Sequence, residues 1–126
     1  MVFPEDLRYT REHEWIRLLS QDEALVGITD YAQAQLGDIV YVDIPTVGQR
    51  LPAGAVFGTV EAVKTVSDLY LPVSGTILEK NPLLEQHPEK VNQDPYGEGW
   101  MIRMKVESPQ ELDQLLGAEA YRALVE

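Results

Sequence analysis

Residues 57–75 have the sequence FGTVEAVKTVSDLYLPVSG, in which two short apolar runs flank one lysine, Lys64. The apolar residues fall on even positions before this lysine and on odd positions after it: Val56, Val60, Ala62, Leu69, Leu71 and Val73. Because side chains alternate between the two faces of a strand, this change of phase predicts a turn. We therefore predict a β-hairpin of strands Val56–Val63 and Val66–Leu71, with Lys64 at or near its tip. The segment has no Asn-Gly, Asp-Gly or Gly-Gly pair, so the sequence leaves the turn geometry open.

Five other segments rich in β-branched, aromatic and other apolar residues predict further strands. They are Glu14–Leu19, Ala24–Ile28, Asp38–Ile44, Gly75–Lys80 and Trp100–Val106. Pro45 closes the third of these strands, and a loop is predicted over 46–50. The chain of 126 residues has the length of one ordinary domain with one core, so we predict a single domain over 1–126.

Two short helical segments are predicted between the strands. A helix over 30–36 is favoured because Thr29-Asp30 can accept hydrogen bonds from its first turn and Gly37 can end it. Prolines and glycines interrupt the region between Asn81 and Gly99, so only one helical turn is predicted there, at 83–85 with Asn81 as its cap.

The C-terminal region carries the clearest helix signal in the chain. Ser108-Pro109-Gln110-Glu111 matches the reciprocal Ser-x-x-Glu cap with proline at the first helical position. An apolar stripe at spacings of three and four follows it: Leu112, Leu115 and Leu116. Gly117 is expected to end this helix. Tyr121, Leu124 and Val125 predict a final helix that lies as a lid on the strand core.

The composition limits the classes of partner. The chain has 21 acidic and 10 basic residues and a net charge of −11, which argues against binding to nucleic acid or to an anionic membrane. An acidic surface favours solubility, and it can also steer a protein to basic patches on partner enzymes. No apolar segment reaches the length of a membrane span, and the N-terminus has neither signal-peptide nor transit-peptide character. We therefore predict a cytoplasmic location.

The sequence offers no set of residues typical of a catalytic site or a metal site. Cysteine is absent, and the two histidines, His13 and His87, lie far apart in the chain. If Glu12-His13-Glu14 is part of a strand, its two carboxylates share one face and the imidazole points to the other. No serine lies in a Gly-x-Ser-x-Gly motif, and no glycine-rich nucleotide fingerprint is present. Glu61 and Asp68 are most simply solvated charges beside Lys64, which remains the one candidate for chemistry.

The motifs around this lysine resemble one known family along almost the whole chain, from residue 7 to 125. The matching segments are Tyr9, His13-Glu14-Trp15, Gly27-Ile28-Thr29-Asp30-Tyr31-Ala32-Gln33, Leu36-Gly37-Asp38, Glu61-Ala62-Val63-Lys64, Ser67-Asp68-Leu69-Tyr70, Pro72-Val73-Ser74-Gly75, Pro95-Tyr96, Gly99-Trp100-Met101, and Ser108-Pro109-x-Glu111-Leu112 with Leu115-Leu116. In these segments the chain is similar to the glycine cleavage system H proteins, which are lipoyl carriers.

The resemblance implies a mainly β fold with short helices. This fold is a biotinyl/lipoyl-type flattened β-sandwich, also called a barrel-sandwich hybrid, with the lysine on a β-hairpin and a helical C-terminal segment. It implies that lipoate is attached to Lys64 through an amide by a lipoate-attaching enzyme, with Glu61 and Asp68 as flanking recognition residues. It also implies a non-enzymatic shuttle that carries an aminomethyl group from the P-protein to the T-protein and is reoxidised by the L-protein.

A groove for the loaded arm is a further expectation. The aminomethyl adduct is a cationic amine near neutral pH, so a carboxylate in the groove would favour it over the uncharged dithiolane. We expect Glu14 and Asp68 to serve in this groove, with Gln35 as a hydrogen-bonding wall. Some family members carry histidine where Gln35 stands, so this chain departs from them there.

Three other interpretations stay open, and the first is another swinging-arm carrier, either a biotin carrier or a lipoyl domain. Biotin carriers usually have methionine on both sides of the lysine, whereas Val63 and Thr65 flank Lys64 here. Lipoyl domains of 2-oxoacid dehydrogenase acyltransferases are typically shorter and continue into linkers. An H-like relay protein that passes lipoate to other acceptor proteins is the main alternative, and an enzyme is the weakest. A mitochondrial matrix location would apply only if the chain is a processed form; a bacterial cytoplasmic location is otherwise expected.

Overall fold

The computed structural model describes all 126 residues and is built mainly from short antiparallel strands. The strands are β1 (Arg8–Tyr9), β2 (Glu14–Leu18), β3 (Glu23–Ile28), β4 (Ile39–Asp43), β5 (Arg50–Leu51), β6 (Val56–Ala62), β7 (Val66–Tyr70), β8 (Gly75–Lys80) and β9 (Ile102–Val106). The helices are α1 (Asp30–Leu36), α2 (Leu83–Gln86), α3 (Lys90–Gln93), the 3₁₀ helix Pro109–Gln114 and α4 (Ala118–Val125). No helix is long and apolar enough to cross a membrane.

The strands form two antiparallel sheets. The larger sheet has six strands in the order β1-β2-β3-β9-β8-β5, and the smaller has three in the order β4-β6-β7. The predicted hairpin is the β6–β7 pair of the smaller sheet, in which Glu61 lies opposite Val66 and Val60 lies opposite Ser67. The predicted mainly β sandwich with short helices is therefore confirmed.

The main core contains residues from both sheets. It is a cluster of 21 buried residues to which all strands from β2 to β9 except β5 contribute, including Val26, Val60, Leu69, Ile77 and Met104. Apolar side chains from two sheets that face each other bury the surface that neither sheet could bury alone. The alternation that predicted the hairpin therefore reflects real burial of one face.

A second cluster of six buried residues joins the N- and C-terminal segments: Phe3, Leu7, Tyr9, Trp15, Ala118 and Tyr121. Trp15 lies opposite Gly27, and a Cβ at Gly27 would lie 2.7 Å from the indole ring. The indole Nε1 donates a hydrogen bond to the Pro95 carbonyl at 3.0 Å. Helix α4 contributes Tyr121 to this cluster, so the predicted C-terminal helix covers the aromatic cluster.

Helix α1 follows the predicted boundaries. The Thr29 hydroxyl accepts a hydrogen bond from the Ala32 amide at 3.1 Å, as expected of an N-cap. Gly37 ends the helix with a φ of 82°, in the left-handed region that glycine adopts without strain. Helix α2 begins as expected from Asn81, whose Oδ1 accepts from the Leu83 amide at 3.1 Å.

The predicted phase of strand β6 is wrong at its beginning. Val56 is exposed, whereas Phe57 is fully buried. The register shifts between Val56 and Gly58, which marks a β-bulge that inserts one extra residue and reverses the alternation. The predicted loop over 46–50 likewise contains the start of β5, which pairs with β8.

The predicted capped helix at Ser108 is also wrong. Ser108 makes no side-chain cap hydrogen bond, and the segment that follows is a 3₁₀ helix. The Glu111 carboxylate instead accepts from the Ser74 amide at 3.0 Å and from its hydroxyl at 3.2 Å, so it cannot close the reciprocal cap. Gly117 stands at the start of α4 instead of ending a helix.

Candidate functional site

Lys64 lies at the tip of the β6–β7 hairpin, as predicted. Val63, Lys64 and Thr65 connect the strands, and the Ala62 amide donates to the Thr65 carbonyl at 2.7 Å. The Val63 amide donates to the Asp38 carbonyl at 3.1 Å, which ties the tip to the start of β4. The Lys64 side chain is exposed and makes no ion pair within 4.0 Å.

The tip rests on the C-terminal end of α1. A Cβ at Gly37 would lie 3.7 Å from Lys64 Cε. Asn92 of α3 supports this junction, because its Nδ2 donates to the Gly37 carbonyl at 2.9 Å and its Oδ1 accepts from the Ile39 amide at 2.9 Å. The sequence interpretation missed α3 and Asn92. The partners of the Asn92 amide are the Ile39 amide, the Gly37 carbonyl and the Gln33 side-chain oxygen, all more than 50 residues away, so no local pattern identifies them.

A cleft of about 270 Å³ lies between α1, the beginning of β2 and the hairpin. Its lining contains residues from all three: Glu12, His13, Glu14, Ile28, Tyr31, Ala32, Gln35, Leu36, Val60, Ser67, Asp68 and Leu69. The structure thus brings together Glu14, Gln35 and Asp68, the three residues expected in an arm groove. Glu61 does not line the cleft; it pairs with Tyr41 and Val66 in the smaller sheet.

Glu14 is the most unusual group in this cleft, because its side chain is a carboxyl group and the residue is only 1% exposed. Its Oε1 accepts from the Thr10 hydroxyl at 2.8 Å and its Oε2 from the Tyr70 amide at 3.1 Å. Burial disfavours the charged form more strongly than these hydrogen bonds favour it, and the pKa of Glu14 rises to about 8. Glu14 is therefore largely protonated at neutral pH.

The predicted separation of Glu12 and Glu14 from His13 is wrong. All three residues line the same cleft. Strand β2 begins only at Glu14, and His13 has a φ of 74° in the turn before it, so strand alternation does not apply. Asparagine, aspartate and histidine are the non-glycine residues that most often adopt this conformation, a weak sequence signal for such a turn.

His13 is held by a short hydrogen-bonded chain. Its Nδ1 lies 2.8 Å from the Tyr121 hydroxyl, which lies 2.8 Å from the Thr29 hydroxyl. The His13 ring also lies 4.9 Å from the Tyr31 ring. Burial lowers the pKa of His13 below its usual 6.5, so the imidazole is neutral at neutral pH and forms a fixed wall.

A second cleft of about 250 Å³ shares Glu12 and Glu14 with the first. Its other walls come from β1, the end of β7 and the segment after the 3₁₀ helix. The first cleft is the one that includes Leu36, directly before the Gly37 contact with Lys64. The first cleft is therefore the one whose lining adjoins the residue in contact with Lys64.

The chain is similar to proteins of one known family along almost its whole length. The glycine cleavage H-protein family matches residues 7–126. The chain is 64% identical to the glycine cleavage system H protein of Bacteroides fragilis and 63% identical to that of Bacteroides thetaiotaomicron, over 99% of this chain and 98% of each relative. The H protein of Geobacillus kaustophilus is 52% identical over the same shares. A crystal structure of the H protein from Mycobacterium marinum superposes with a TM-score of 0.83 at 39% identity, covering 95% of this chain and 96% of that one.

Proposed function

We propose that Lys64 is the lipoyl attachment site of this chain. The chain belongs to the glycine cleavage H-protein family and serves as the lipoyl shuttle of the glycine cleavage system. The observation that carries this proposal is the position of Lys64, an exposed amine without an ion pair at the tip of a short hairpin turn. When attached, the lipoyl group supplies reversible disulfide chemistry. The chain's own part is to hold its tether and to shelter its loaded end.

The other three lysines are less suited to modification. The Lys80 amine lies 3.1 Å from a Glu85 oxygen, and the Lys90 amine lies 3.7 Å from a Glu98 oxygen. Lys105 lies within β9, between β3 and β8 in the sheet, and not at a turn. A modifying enzyme must take the lysine amine into its own active site. A lysine at a hairpin tip has little backbone around it, so its amine can enter that site without steric hindrance.

We propose the first cleft as the resting place of the aminomethyl-loaded arm. Its groups suit a cationic amine, because Glu14 and Asp68 are carboxyl groups and Gln35 adds an amide. A cation beside Glu14 favours the ionised form of this carboxyl, which is otherwise disfavoured by burial. Apolar walls from Ile28 and Leu69 limit the access of water to the amine. The cleft therefore binds the loaded arm more strongly than the unloaded one.

We propose a carrier without catalytic activity of its own, formed by a single domain over 1–126. Its partners are the P-protein that decarboxylates glycine, the T-protein that transfers the one-carbon unit, and the L-protein that reoxidises the arm. A lipoate-attaching enzyme recognises Glu61 and Asp68 beside Lys64. The bacterial relatives support a cytoplasmic location.

The attachment site is tested by intact mass spectrometry of the protein after expression with lipoate. One lipoyl increment is expected, and peptide mapping should place it on Lys64. Lys64→Arg should abolish it, whereas Lys80→Arg, Lys90→Arg and Lys105→Arg should not. A lipoyl group on any of the other three lysines would contradict the assignment.

The shuttle partners are tested by adding the modified protein to P-protein with glycine and labelled bicarbonate. Exchange of label into the glycine carboxyl group is expected, and T-protein with tetrahydrofolate should then release ammonia. Modified protein that supports no exchange, but donates lipoate to other acceptor proteins, would favour the relay alternative.

A further inference from the structure

The outer face of the smaller sheet carries large apolar side chains that remain exposed. Val63 is 76% exposed, Val66 59% and Tyr41 51%. We call these three residues the tip patch. Exposed apolar side chains are common when scattered singly, but a cluster beside a functional group marks an interaction surface.

The strand register shows that the tip patch is one surface. Tyr41 lies opposite Glu61, and Glu61 lies opposite Val66, so these side chains form a row across the three strands on one face. Val63 precedes Lys64 in the turn that joins β6 to β7. The row therefore adjoins the residue proposed to carry the arm.

Acidic groups accompany the tip patch, and none is paired. The next row on the same face consists of Asp43, Thr59 and Asp68. No arginine or lysine occurs on β4, β6 or β7, and no cation lies within 4.0 Å of Asp43, Glu61 or Asp68. Lys64 is the one adjoining cation, and an amide at its amine removes that charge. The modified surface therefore combines apolar side chains with the unpaired carboxylates of Glu61, which lies between Tyr41 and Val66, and of Asp43 and Asp68 in the next row.

We propose that the tip patch docks onto a partner protein that presents apolar side chains interspersed with lysine and arginine around the mouth of the site that the Lys64 arm enters. This rests on the proposed function, since it assumes that the arm enters a partner. Complementary charge guides encounter and fixes orientation, while desolvated aromatic and aliphatic side chains at the centre supply most of the affinity. The unpaired carboxylates of Asp43, Glu61 and Asp68 repel partners with acidic surfaces, so the same surface discriminates as well as binds.

The test uses fully lipoylated protein in the exchange reaction with P-protein. Val66→Thr and Tyr41→Thr place a residue of high strand propensity on exposed strand positions while removing apolar contact area. Val47→Thr is the matched control, because Val47 is also exposed but follows the far end of β4. Each patch variant should raise the KM for the carrier on the order of tenfold with kcat unchanged, and the control should leave both unchanged. Raising the salt concentration should raise the KM of the wild type, because the carboxylates of Asp43, Glu61 and Asp68 are exposed.

The outcomes separate the two proposals. Intact mass and thermal unfolding are measured first, so that every variant compared is fully modified and folded. If wild-type protein supports exchange and the patch variants keep its KM, the docking surface is wrong while the shuttle stands. If the KM rises equally with Val47→Thr, the effect is not specific to the patch, and the docking surface is also wrong. If modified wild-type protein supports no exchange, the shuttle fails and the docking surface fails with it.

Discussion

The outer surfaces of the two sheets differ in how their charges are placed. The larger sheet carries guanidinium–carboxylate pairs at 2.8 Å: Arg103 with Glu23, Arg103 with Glu79, and Arg50 with Glu107. The smaller sheet carries carboxylates without cations and apolar side chains without cover. Charged side chains on the larger sheet thus pair with one another, whereas those on the smaller sheet remain available to another molecule. The difference indicates that the smaller sheet, and not the larger one, offers a surface for recognition.

The largest effect on stability is expected where strands approach closely in the larger sheet. A Cβ at Gly75 would lie 1.9 Å from the Lys105 carbonyl oxygen, and a Cβ at Gly58 in the smaller sheet would lie 2.4 Å from the Asp43 oxygen. Gly75→Ala should cost about 3 kcal/mol or more, because backbone atoms must move apart between paired strands. Gly58→Ala should cost less, about 1–3 kcal/mol, because the adjoining β-bulge can absorb part of the shift.

Urea denaturation measures both values. Gly117→Ala is the control, because a Cβ there meets no atom within 4 Å and its φ is −78°; it should cost less than about 1 kcal/mol. Equal losses at Gly58 and Gly75 would show that the bulge gives the smaller sheet no extra tolerance.

Glu14 joins the two sheets, because its residue lies on β2 and its carboxyl accepts from the Tyr70 amide of β7. Its pKa rises from 4.5 to about 8 on folding, so the folded protein retains a proton that the unfolded chain loses between these values. This contribution to stability is fully present below about pH 4.5 and is lost as the pH rises through about 8. Glu14→Gln cannot ionise, so its free energy of unfolding relative to wild type should rise by up to about 1.4 kcal/mol per pH unit in this window.

Denaturation of both proteins at intervals from pH 4 to pH 9 provides the comparison. Because the other groups titrate in both proteins, the difference between the two curves isolates Glu14. Parallel curves would mean that Glu14 ionises in the folded state as readily as in the unfolded chain. The same variant should speed the loss of the aminomethyl group to solvent if the cleft holds the loaded arm.

Asn92 holds the start of β4 in the smaller sheet, so Asn92→Ala should loosen the region around Lys64 more than the larger sheet. Its removal leaves the Ile39 amide and the Gly37 carbonyl without their partner, at a cost of about 1–3 kcal/mol. Hydrogen exchange should quicken at Ile39 and Val63 before it quickens in β8. Gln93→Ala, one residue further along α3, removes an exposed side chain and should leave these rates unchanged. Uniform quickening across both sheets would argue against a local role.

The smallest effect is expected from the surface pairs of the larger sheet. Arg103→Met removes two exposed pairs, and exposed pairs contribute little because water and salt screen them. We expect a small fall in Tm that disappears as salt approaches about 1 M. Asp43→Asn on the smaller sheet should not lower the Tm at any salt concentration, because Asp43 has no cation to lose. A fall with Asp43→Asn that matched Arg103→Met would erase the contrast between the sheets.

The sequence predicts those parts of the fold that depend on neighbouring residues. The hairpin around Lys64, the Thr29 cap and the Gly37 stop follow from local periodicity and backbone preference, and all three are confirmed. The bulge after Val56 is not predicted, because it adds a residue without changing the composition of the strand.

Long-range partners explain the remaining differences. Glu111 has the sequence of a helix cap, but its carboxylate binds Ser74, 37 residues away. The expected groove of Glu14, Gln35 and Asp68 depends on the family resemblance and not on a local pattern. These residues meet in one cleft because the sheets pack around α1. The tip patch has no sequence signature, because its residues are ordinary strand formers whose exposure is decided by tertiary structure.

The edges of the larger sheet bear on how this protein behaves when it is concentrated. Strand β1 and strand β5 are each only two residues long, and each contains an arginine. An edge this short offers few free backbone groups to a strand of another chain, and a charged side chain discourages such pairing further. The larger sheet therefore resists strand-by-strand aggregation with copies of the protein at both of its edges.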